Sequence, residues 1–335
     1  MKNDPLNERP HRRAGRGRAG TAPERRRGAR AEPAARRDGT TLDVAGRQVA
    51  VSNLDKILYP QSGFSKADVI DYYVRIAPAL LPHLRRRPLT LKRYPNGVDR
   101  PFFYEKRCPP HRPGWVRTAA IYSRRKNETT EHCVVDNLPT LVWAANLADL
   151  ELHPALARSR TLDRPDFMVF DLDPGAGVDV VLCAKVALVL HERLRSAGLA
   201  SWVKTSGSKG LQLYAPLNTP VSFDRTKAAA EVIAGAMAAD MPAEVTANMR
   251  KDLRRGKVFI DWSQNSPHKT TVCVYSLRAT PEPSVSTPLR WPELKTLYRR
   301  GRAAGFRFTP ATVLERVRKM GDLFAPVLVK RQHLA

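Results

Sequence analysis

The spacing of apolar residues along this chain switches between helical and strand periods, which predicts a fold that mixes both elements. After Ser65, a residue type that caps helices, apolar side chains recur at helical spacing to about residue 84. Shorter runs with strand-like patterns are separated by Pro, Gly and Asn. The predicted helices cover 66–84, 138–150, 178–197, 222–239, 291–302 and 310–320, and the predicted strands cover 44–51, 89–93, 102–106, 167–172, 202–204, 211–215, 258–261 and 271–275.

These elements do not alternate strictly, so the pattern favours an α+β fold over a doubly wound parallel sheet. Residues 117–131 are polar and charged, which predicts a long hairpin or a loop, and residues 281–288 predict a Pro/Ser-rich connector. The globular pattern covers residues 43–288. The helices within residues 289–335 are predicted to pack on the same domain.

Residues 1–42 lack this patterning and predict a disordered basic arm. The first 40 residues carry twelve Lys and Arg against five Asp and Glu, with many Gly, Ala and Pro. Such a segment cannot bury enough apolar surface to offset the entropy lost on ordering. It is either a solvated tail or an arm that contacts DNA.

The net charge of the chain limits the classes of molecule that it is expected to bind. Among 335 residues, 57 Lys and Arg face 32 Asp and Glu, for a net charge of +25. Such an excess attracts polyanions, with nucleic acid the leading candidate and an anionic membrane surface the second. No run of about 18 apolar residues exists, and the N-terminus lacks the apolar core of a secretory signal. Four scattered cysteines indicate a reducing cytoplasm rather than a disulfide scaffold.

Three carboxylates at the ends of apolar strands are the first candidates for chemistry. Asp171 and Asp173 are two residues apart in a predicted strand, so their side chains share one face, about 6.5–7 Å apart along it. Asp261 ends a second apolar strand and becomes a third ligand if the two strands pair. Such oxygen ligands suit Mg²⁺ or Mn²⁺, and three of them can hold two ions for nucleotidyl transfer. The alternative is that these residues only end strands or cap helices.

A Ser/Gly-rich turn at residues 204–214 is the second candidate. Its glycines allow close approach of a phosphate, and Ser206, Ser208 and Lys209 add donors. The segment lacks the P-loop pattern, and an ordinary hairpin turn also uses Ser and Gly. A zinc site at Cys108, His111, His132 and Cys133 is disfavoured, because the spacing matches no usual finger.

Taken together, these motifs resemble the polymerase domain of bacterial ligase D, within the archaeo-eukaryotic primase superfamily. The resemblance covers roughly residues 45–295 and implies a primase-polymerase core of mixed and antiparallel sheets flanked by helices. The matching strings are SNLDKILYP (52–60), KRYPNG (92–97), FDLDPG (170–175), TSGSKG (205–210), VFIDWSQN (258–265) and YSLR (275–278).

The resemblance implies a role for each candidate residue. Asp171, Asp173 and Asp261 match the catalytic, metal-binding carboxylates. Asn53, Lys56 and Lys66 resemble the pocket that holds a 5′-phosphate across a DNA gap or break. The residues that match nucleotide contacts are Lys92, Phe103, Tyr104, His153, Ser206, Lys209, Gln212 and Arg278.

Two departures from the family pattern affect the expected activity. The family usually has His where this chain has Gln212, and a neutral amide gives a weaker bond to phosphate than a charged ring does. We therefore expect altered nucleotide affinity, with loss of activity as the alternative. The ligase and nuclease modules often joined to this domain are not matched, and no K-x-D-G motif is present. The resemblance therefore implies a stand-alone form that acts with a separate ligase.

The predicted function is template-dependent synthesis that fills short gaps and extends DNA ends in repair, by non-homologous end joining or gap and excision repair. The resemblance implies two Mn²⁺ or Mg²⁺ ions, a preference for ribonucleotides, and NTP or dNTP as substrate. It also implies gapped or broken 5′-phosphorylated DNA, a separate ligase and the end-binding protein Ku as partners, in the bacterial cytoplasm at the nucleoid. Two alternatives remain: a primase that starts chains de novo, and a catalytically weak module that binds DNA ends.

Overall fold

The structure is a computed structural model that describes residues 39–123 and 127–334. The predicted basic arm falls almost entirely outside these residues. Its last four positions, 39–42, belong to the first strand, so the folded chain begins before the predicted boundary at residue 43. None of the helices in the described part of the chain combines the length and apolarity that crossing a membrane requires.

The described residues form seven helices. The first begins after Ser65, whose side chain and that of Asp68 form a reciprocal capping box. Asn137, Asp179 and Ser222 cap three later helices with their side chains. The helices are α1 (Lys66–Leu84), α2 (Leu138–Asn146), α3 (Val180–Ser196), α4 (Phe223–Asp240), α5 (Trp291–Arg300), α6 (Pro310–Met320) and α7 (Pro326–Val329).

The strands form two larger sheets and three two-stranded ribbons, in keeping with the predicted α+β class. The ribbons pair β1 (Gly39–Val44) with β2 (Arg47–Ser52), β3 (Ile57–Tyr59) with β4 (Phe64–Ser65), and β15 (Leu277–Arg278) with β16 (Ser284–Val285). The strands are β1 (Gly39–Val44), β2 (Arg47–Ser52), β3 (Ile57–Tyr59), β4 (Phe64–Ser65), β5 (Pro88–Arg93), β6 (Phe103–Glu105), β7 (Arg117–Ser123), β8 (Glu128–Val134), β9 (Asp149–Pro154), β10 (Phe167–Pro174), β11 (Trp202–Thr205), β12 (Leu211–Pro216), β13 (Val245–Thr246), β14 (Val258–Asp261), β15 (Leu277–Arg278), β16 (Ser284–Val285) and β17 (Pro288–Leu289).

The six-stranded sheet has the order β13-β14-β10-β12-β11-β17. Its central strand β10 pairs antiparallel with both β12 and β14. The apolar residues of β10 are fully buried up to Leu172, and helices α3 and α4 pack against it. A buried strand flanked on both edges gives rigid support to whatever its last residues carry.

The second sheet is built around β5, which pairs with β6, β8 and β9. Helices α1 and α2 pack together beside it, and α1 also contacts α6. The C-terminal segment is joined to the same core, because Asp322 accepts hydrogen bonds from His83 (2.8 Å) and Tyr275 (2.7 Å). Phe324 and Val327 are buried in that core. The C-terminal helices therefore pack on the same folded unit.

Several predicted elements differ from the structure. The predicted strand at 44–51 is a hairpin, because Ala45 and Gly46 adopt left-handed backbone angles and reverse the chain. The predicted helix at 138–150 ends at Asn146, and Ala148 has a φ of 58°, after which β9 begins. Residues 271–275 form no strand; their apolar side chains are buried among other elements. The predicted connector at 281–288 contains β16 and reaches β17.

The cysteine prediction was also wrong in one respect. Cys108 and Cys133 form a disulfide that joins the segment after β6 to β8, with 4.9 Å between their Cα atoms. Both residues are buried. The separation of 25 residues between the two cysteines did not predict the disulfide. The bond depends on β6 and β8 both pairing with β5, which only the folded chain shows. Cys183 and Cys273 are buried free thiols.

Candidate active site

The three predicted carboxylates meet on one face of the six-stranded sheet. Asp171 of β10 lies directly opposite Asp261 of β14 in the antiparallel register. Asp173 is two residues further along β10 and therefore shares that face. The pairing of the two apolar strands, left open by the sequence, is what brings the third carboxylate beside the other two.

The charges of these carboxylates repel one another. Burial, and then the negative charges of Asp173 and Asp261, raise the pKa of Asp171 from near 3.8 to about 7, against the opposing effects of Gln212 and Lys204. Partial burial and Asp261 also raise the pKa of Asp173, while the Arg254 and Arg278 charges oppose that shift. The protein alone therefore does not neutralise the negative charge of this face.

The donor set fits a hard divalent cation. The buried Oδ1 of Asp171 has no hydrogen-bond partner within the described residues, and the three side chains offer only oxygen atoms. The cluster is not a preformed metal cage. Within residues 39–123 and 127–334, no three His, Cys, Asp or Glu side chains already stand at metal-binding spacing. Asp261 is held by the Ser263 hydroxyl (2.5 Å) and the Gln264 amide (3.0 Å).

A buried lysine with no predicted role, Lys204, lies on this same face of the sheet, one strand beyond Gln212. Gln212 lies opposite Asp171 on the other side of β10. The Nζ of Lys204 donates to the Gln212 Oε1 (2.5 Å) and to the Ser286 Oγ (2.8 Å). Burial lowers the pKa of Lys204 to about 7. At the position where the family usually has His, a neutral amide therefore contacts a buried amine.

The Ser/Gly turn between β11 and β12 is organised by its first serine. The Ser206 Oγ accepts hydrogen bonds from the backbone N–H groups of Gly210 (3.1 Å) and Ser208 (3.3 Å). Gly207 has a φ of 73°, and a Cβ there would lie 2.6 Å from the Arg278 side chain. Lys209 is exposed. The turn lines a cavity of about 690 Å³, together with 174–180 of the β10–α3 connection and the C-terminal residues Phe306 and Phe308.

Glu151 organises most of the other predicted nucleotide contacts. One oxygen accepts from Lys92 Nζ (3.0 Å) and Tyr94 OH (3.0 Å), and the other contacts His153 Nε2 (3.0 Å) and Arg278 Nε (3.2 Å). Burial raises the pKa of Glu151, but His153, Arg278 and Lys92 outweigh it and hold the pKa well below the usual range. Glu151 is 2% exposed, so it anchors Lys92, Arg278 and the imidazole of His153 from inside the protein.

Arg278 connects this cluster to the Ser/Gly turn. Besides its contact with Glu151, its guanidinium donates to the backbone carbonyl oxygen of Ser206 (2.9 Å), and its charge partly opposes the rise in the pKa of Asp173. Ser206, His153, Lys92 and Arg278 are thus linked in one network. Glu151 lies two residues before His153 in the sequence, but its role becomes visible only where β5 and β9 pair.

The aromatic residues near the cluster differ from the prediction. Lys92 Nζ lies 5.7 Å from the Tyr104 ring centroid and 4.5 Å from that of Phe102. Phe103 lies on the other face of β6, beside Arg93. The structure therefore brings Tyr104 and Phe102 to the cluster, and not Phe103, because alternate residues of a strand face opposite sides. Both rings are about half exposed.

The three residues predicted for a 5′-phosphate also come together. Lys66 N bonds to the Lys56 carbonyl oxygen (2.9 Å), and Asn53, with a φ of 52°, precedes them in the β2–β3 turn. The Nζ of Lys66 is held by the Ser52 carbonyl oxygen (2.9 Å) and that of Lys56 by the Asn96 side chain (2.9 Å). Burial, Lys56 and Arg93 lower the pKa of Lys66. Lys56 and Lys66 are two nearby cations whose hydrogen-bond partners are neutral oxygen atoms, so the pair suits an anion.

Comparison with known proteins shows which family this chain resembles. A family model described as "LigD, primase-polymerase domain" matches residues 65–324. The multifunctional non-homologous end joining DNA repair protein LigD of Mycobacterium tuberculosis is 40% identical over 287 residues, which cover 83% of this chain and 36% of the relative. The bifunctional LigD of Bacillus subtilis is 31% identical over 274 residues, covering 82% and 43%. This chain therefore spans about a third to two fifths of the length of these relatives.

A solved structure matches over nearly its whole length. The polymerase domain from Mycobacterium tuberculosis ligase D, in complex with DNA, has a TM-score of 0.78 and 39% sequence identity. The match covers 85% of this chain and 99% of that one. The arrangement of sheets and helices described above is therefore that of the primase-polymerase fold.

The raised pKa of Asp171 predicts that its charge destabilises the metal-free protein. Because the folded-state pKa exceeds the unfolded value, stability falls as the pH rises from about 4 to about 7, and the full cost is present above 7. Replacing Asp171→Asn should stabilise the protein by about 2 to 4 kcal/mol at pH 8, and by less at pH 5. Urea unfolding in EDTA at both pH values measures this. The exposed control Asp163→Asn should show no such change, and equal stability of wild type and Asp171→Asn at pH 8 would contradict the prediction.

The anchoring role of Glu151 predicts weaker nucleotide binding when its charge is removed. In Glu151→Gln, Lys92 and Arg278 lose the buried carboxylate that fixes them, and that loss outweighs the added positive potential. Affinity for a ribonucleoside triphosphate should fall by about tenfold, or about 1.4 kcal/mol, measured by titration calorimetry. Glu231→Gln on the exposed face of α4 serves as the control. Unchanged or tighter binding would show that these cations need no anchor.

Proposed function

Because the chain belongs to the LigD primase-polymerase domain family, a family of DNA-directed nucleotidyltransferases, we propose that it extends a DNA strand on a template at gaps and breaks during repair. The observation that carries this proposal is the register that sets Asp171 opposite Asp261, with the Glu151 network and the Ser/Gly turn linked to that face through Arg278.

The reaction joins a primer 3′-hydroxyl to the α-phosphate of a nucleotide and releases pyrophosphate. Asp171, Asp173 and Asp261 would hold two Mn²⁺ or Mg²⁺ ions. When bound, these ions supply positive charge that favours ionisation of the attacking hydroxyl and offsets charge on the triphosphate. The unpaired Asp171 Oδ1 and the mutual repulsion of the carboxylates support this assignment.

The remaining residues bind and orient the nucleotide. Lys92 and Arg278 place two cations beside the exposed Tyr104 and Phe102 rings. The cations suit the phosphates, and the rings offer a base-stacking surface that tolerates any base. Lys209 and the N–H groups of the Ser/Gly turn add donors for the terminal phosphates. His153, held by Glu151, completes the wall of this pocket, and a preference for ribonucleotides is part of the proposal.

Asn53, Lys56 and Lys66 would bind the 5′-phosphate on the far side of a gap. Lys66 is fixed by the Ser52 carbonyl oxygen at the start of α1, so its ammonium group is held in place before DNA arrives. A terminal phosphate carries more charge than one within a strand, and two nearby lysines favour it. This contact would make the enzyme prefer a gap over an open primer end.

The pathway and partners follow from the relatives and are proposals for this chain. The relatives are named for non-homologous end joining, and the chain corresponds to the part of them that the polymerase domain structure covers. We propose that it acts in that repair pathway beside a DNA ligase and the end-binding protein Ku, in the cytoplasm at the nucleoid.

The catalytic assignment predicts loss of synthesis without loss of DNA binding. On a one-nucleotide gap with a 5′-phosphate, with NTP or dNTP and Mn²⁺ or Mg²⁺, Asp171→Ala should reduce extension by at least 1,000-fold, because the metal ligand is gone. Binding of the gap should change less than threefold. Asp163→Ala is the matched control. Extension retained by Asp171→Ala would refute the assignment, and products made without a primer would favour the primase alternative.

If Lys56 and Lys66 bind the 5′-phosphate, their removal should abolish the preference for a phosphorylated gap without a general loss of activity. The variant Lys56→Ala/Lys66→Ala should extend gaps with and without a 5′-phosphate equally, while wild type favours the phosphorylated gap by about tenfold. Lys295→Ala on α5 is the control for removal of surface charge. A preference that persists in the double variant would place the phosphate elsewhere. Wild type that binds the gap but extends nothing would favour the binding-module alternative.

A further inference from the structure

A cavity lined by arginines lies at the other end of the fold from the candidate active site. Its volume is about 910 Å³. We call it the arginine cavity; it is lined by Arg47, Arg85, Arg86, Arg117, Arg158 and Trp115. Asp136 is the one acidic residue in its wall among the described residues. A smaller recess of about 200 Å³ continues from it to Arg160.

Three elements fix how far this cavity lies from the residues already described. Helix α1 has Lys66 at its first residue and Arg85 just after its last, 19 residues later, about 28 Å along the helix. Strand β5 starts next to Arg86 and reaches Lys92 about 20 Å further on. Arg158 is held by Asp166, which precedes β10 and stands about 17 Å along the strand from Asp171. The cavity is therefore a separate surface.

The charge of the cavity is largely uncompensated. Arg117 pairs with Asp136 (3.0 Å) and Arg158 with Asp166 (2.9 Å). Arg47, Arg85 and Arg86 are exposed and form no ion pair within the described residues. Holding several arginine side chains close together costs conformational entropy, and their charges repel one another. A polyanion that neutralises several of them at once therefore suits this group.

The shape and the aromatic wall indicate which polyanion fits. The Arg47 guanidinium lies 5.6 Å from the centroid of the half-buried Trp115 ring. A guanidinium beside an indole ring offers phosphate binding and base stacking together. A duplex is convex and keeps its bases stacked inside, so it cannot present a base to a ring within a concave wall. A single strand can do so, with a phosphate about every 6 Å.

We propose that the arginine cavity binds a single-stranded segment of the DNA substrate, with phosphates on Arg47, Arg85 and Arg86 and a base against Trp115. The separation of about 28 Å from Lys66 allows one DNA to occupy both places if it carries a tail of several nucleotides. This inference rests on the proposed action on DNA and adds a second contact on the opposite end of the protein. The surface would hold the overhang of a broken end while the gap occupies the active site.

Fluorescence anisotropy with two gapped DNAs tests the proposal, one blunt and one with a 12-nucleotide single-stranded tail. The variant Arg47→Ala/Arg85→Ala should bind the tailed DNA about tenfold more weakly and the blunt DNA within twofold of wild type. Its salt slope on tailed DNA should fall by about 1.4, for two phosphates of a single strand. Arg299→Ala/Arg300→Ala on α5 removes the same charge elsewhere and should leave both affinities near wild type.

A second measurement isolates the stacking contact. Trp115→Ala should weaken binding to a thymidine tail by several-fold and leave binding to an abasic tail unchanged, because the abasic tail keeps phosphates and lacks bases. Equal loss for both arginine variants, or equal loss on blunt and tailed DNA, would overturn the proposal. No loss would also overturn it and leave an acidic protein segment as the occupant to test.

Extension of the blunt gap is measured in parallel, so that the two proposals fail separately. Arg47→Ala/Arg85→Ala should extend the blunt gap at the wild-type rate, because neither residue contacts the active site. If wild type extends nothing, the proposed polymerase function fails. The binding measurement on tailed DNA still tests the cavity proposal in that case. If extension is normal and the tail has no effect, the cavity proposal alone is wrong.

Discussion

The repulsion among three carboxylates is the constraint on which the rest of this structure depends. Asp171 and Asp261 face each other across two antiparallel strands, and burial together with their neighbours raises the pKa of Asp171 to about 7. A fold without function would gain by neutralising that face. Here the flanking strands, with α3 and α4 packed against them, hold the charges together at a cost in stability, as the proposed binding of cations requires.

The basic residues of the site lie near the negative charge of that face, but they form their ion pairs elsewhere. Lys92, His153 and Arg278 converge on the buried Glu151 rather than on the aspartates. Their positions are therefore fixed from behind, and their outward surfaces remain available to phosphate. Lys204 lies in the same row of the sheet as Asp171, and Gln212 stands between the buried amine and the Asp171 strand. At the position where a histidine is usual, a neutral amide therefore contacts a buried lysine.

The net charge of the whole chain is +25, and within the described residues the basic side chains are distributed unevenly. One basic group surrounds Lys56 and Lys66 at the start of α1, and another converges at the arginine cavity beyond its end. A long helix thereby separates by a fixed distance the two surfaces that we propose to bind anions. Such a separation suits the extended DNA substrate of that proposal.

The sequence by itself determined what depends on local chemistry and order along the chain. The helix cap at Ser65, the apolar strand leading to Asp171, and the motifs that indicated the family are of this kind, and the structure and comparisons confirm them. Tertiary structure decided what depends on pairing: that Asp261 faces Asp171, that Phe102 replaces Phe103 beside Lys92, and that Cys108 reaches Cys133. Glu151 and the arginine cavity were invisible for the same reason, because strand register and helix packing join residues far apart in the chain.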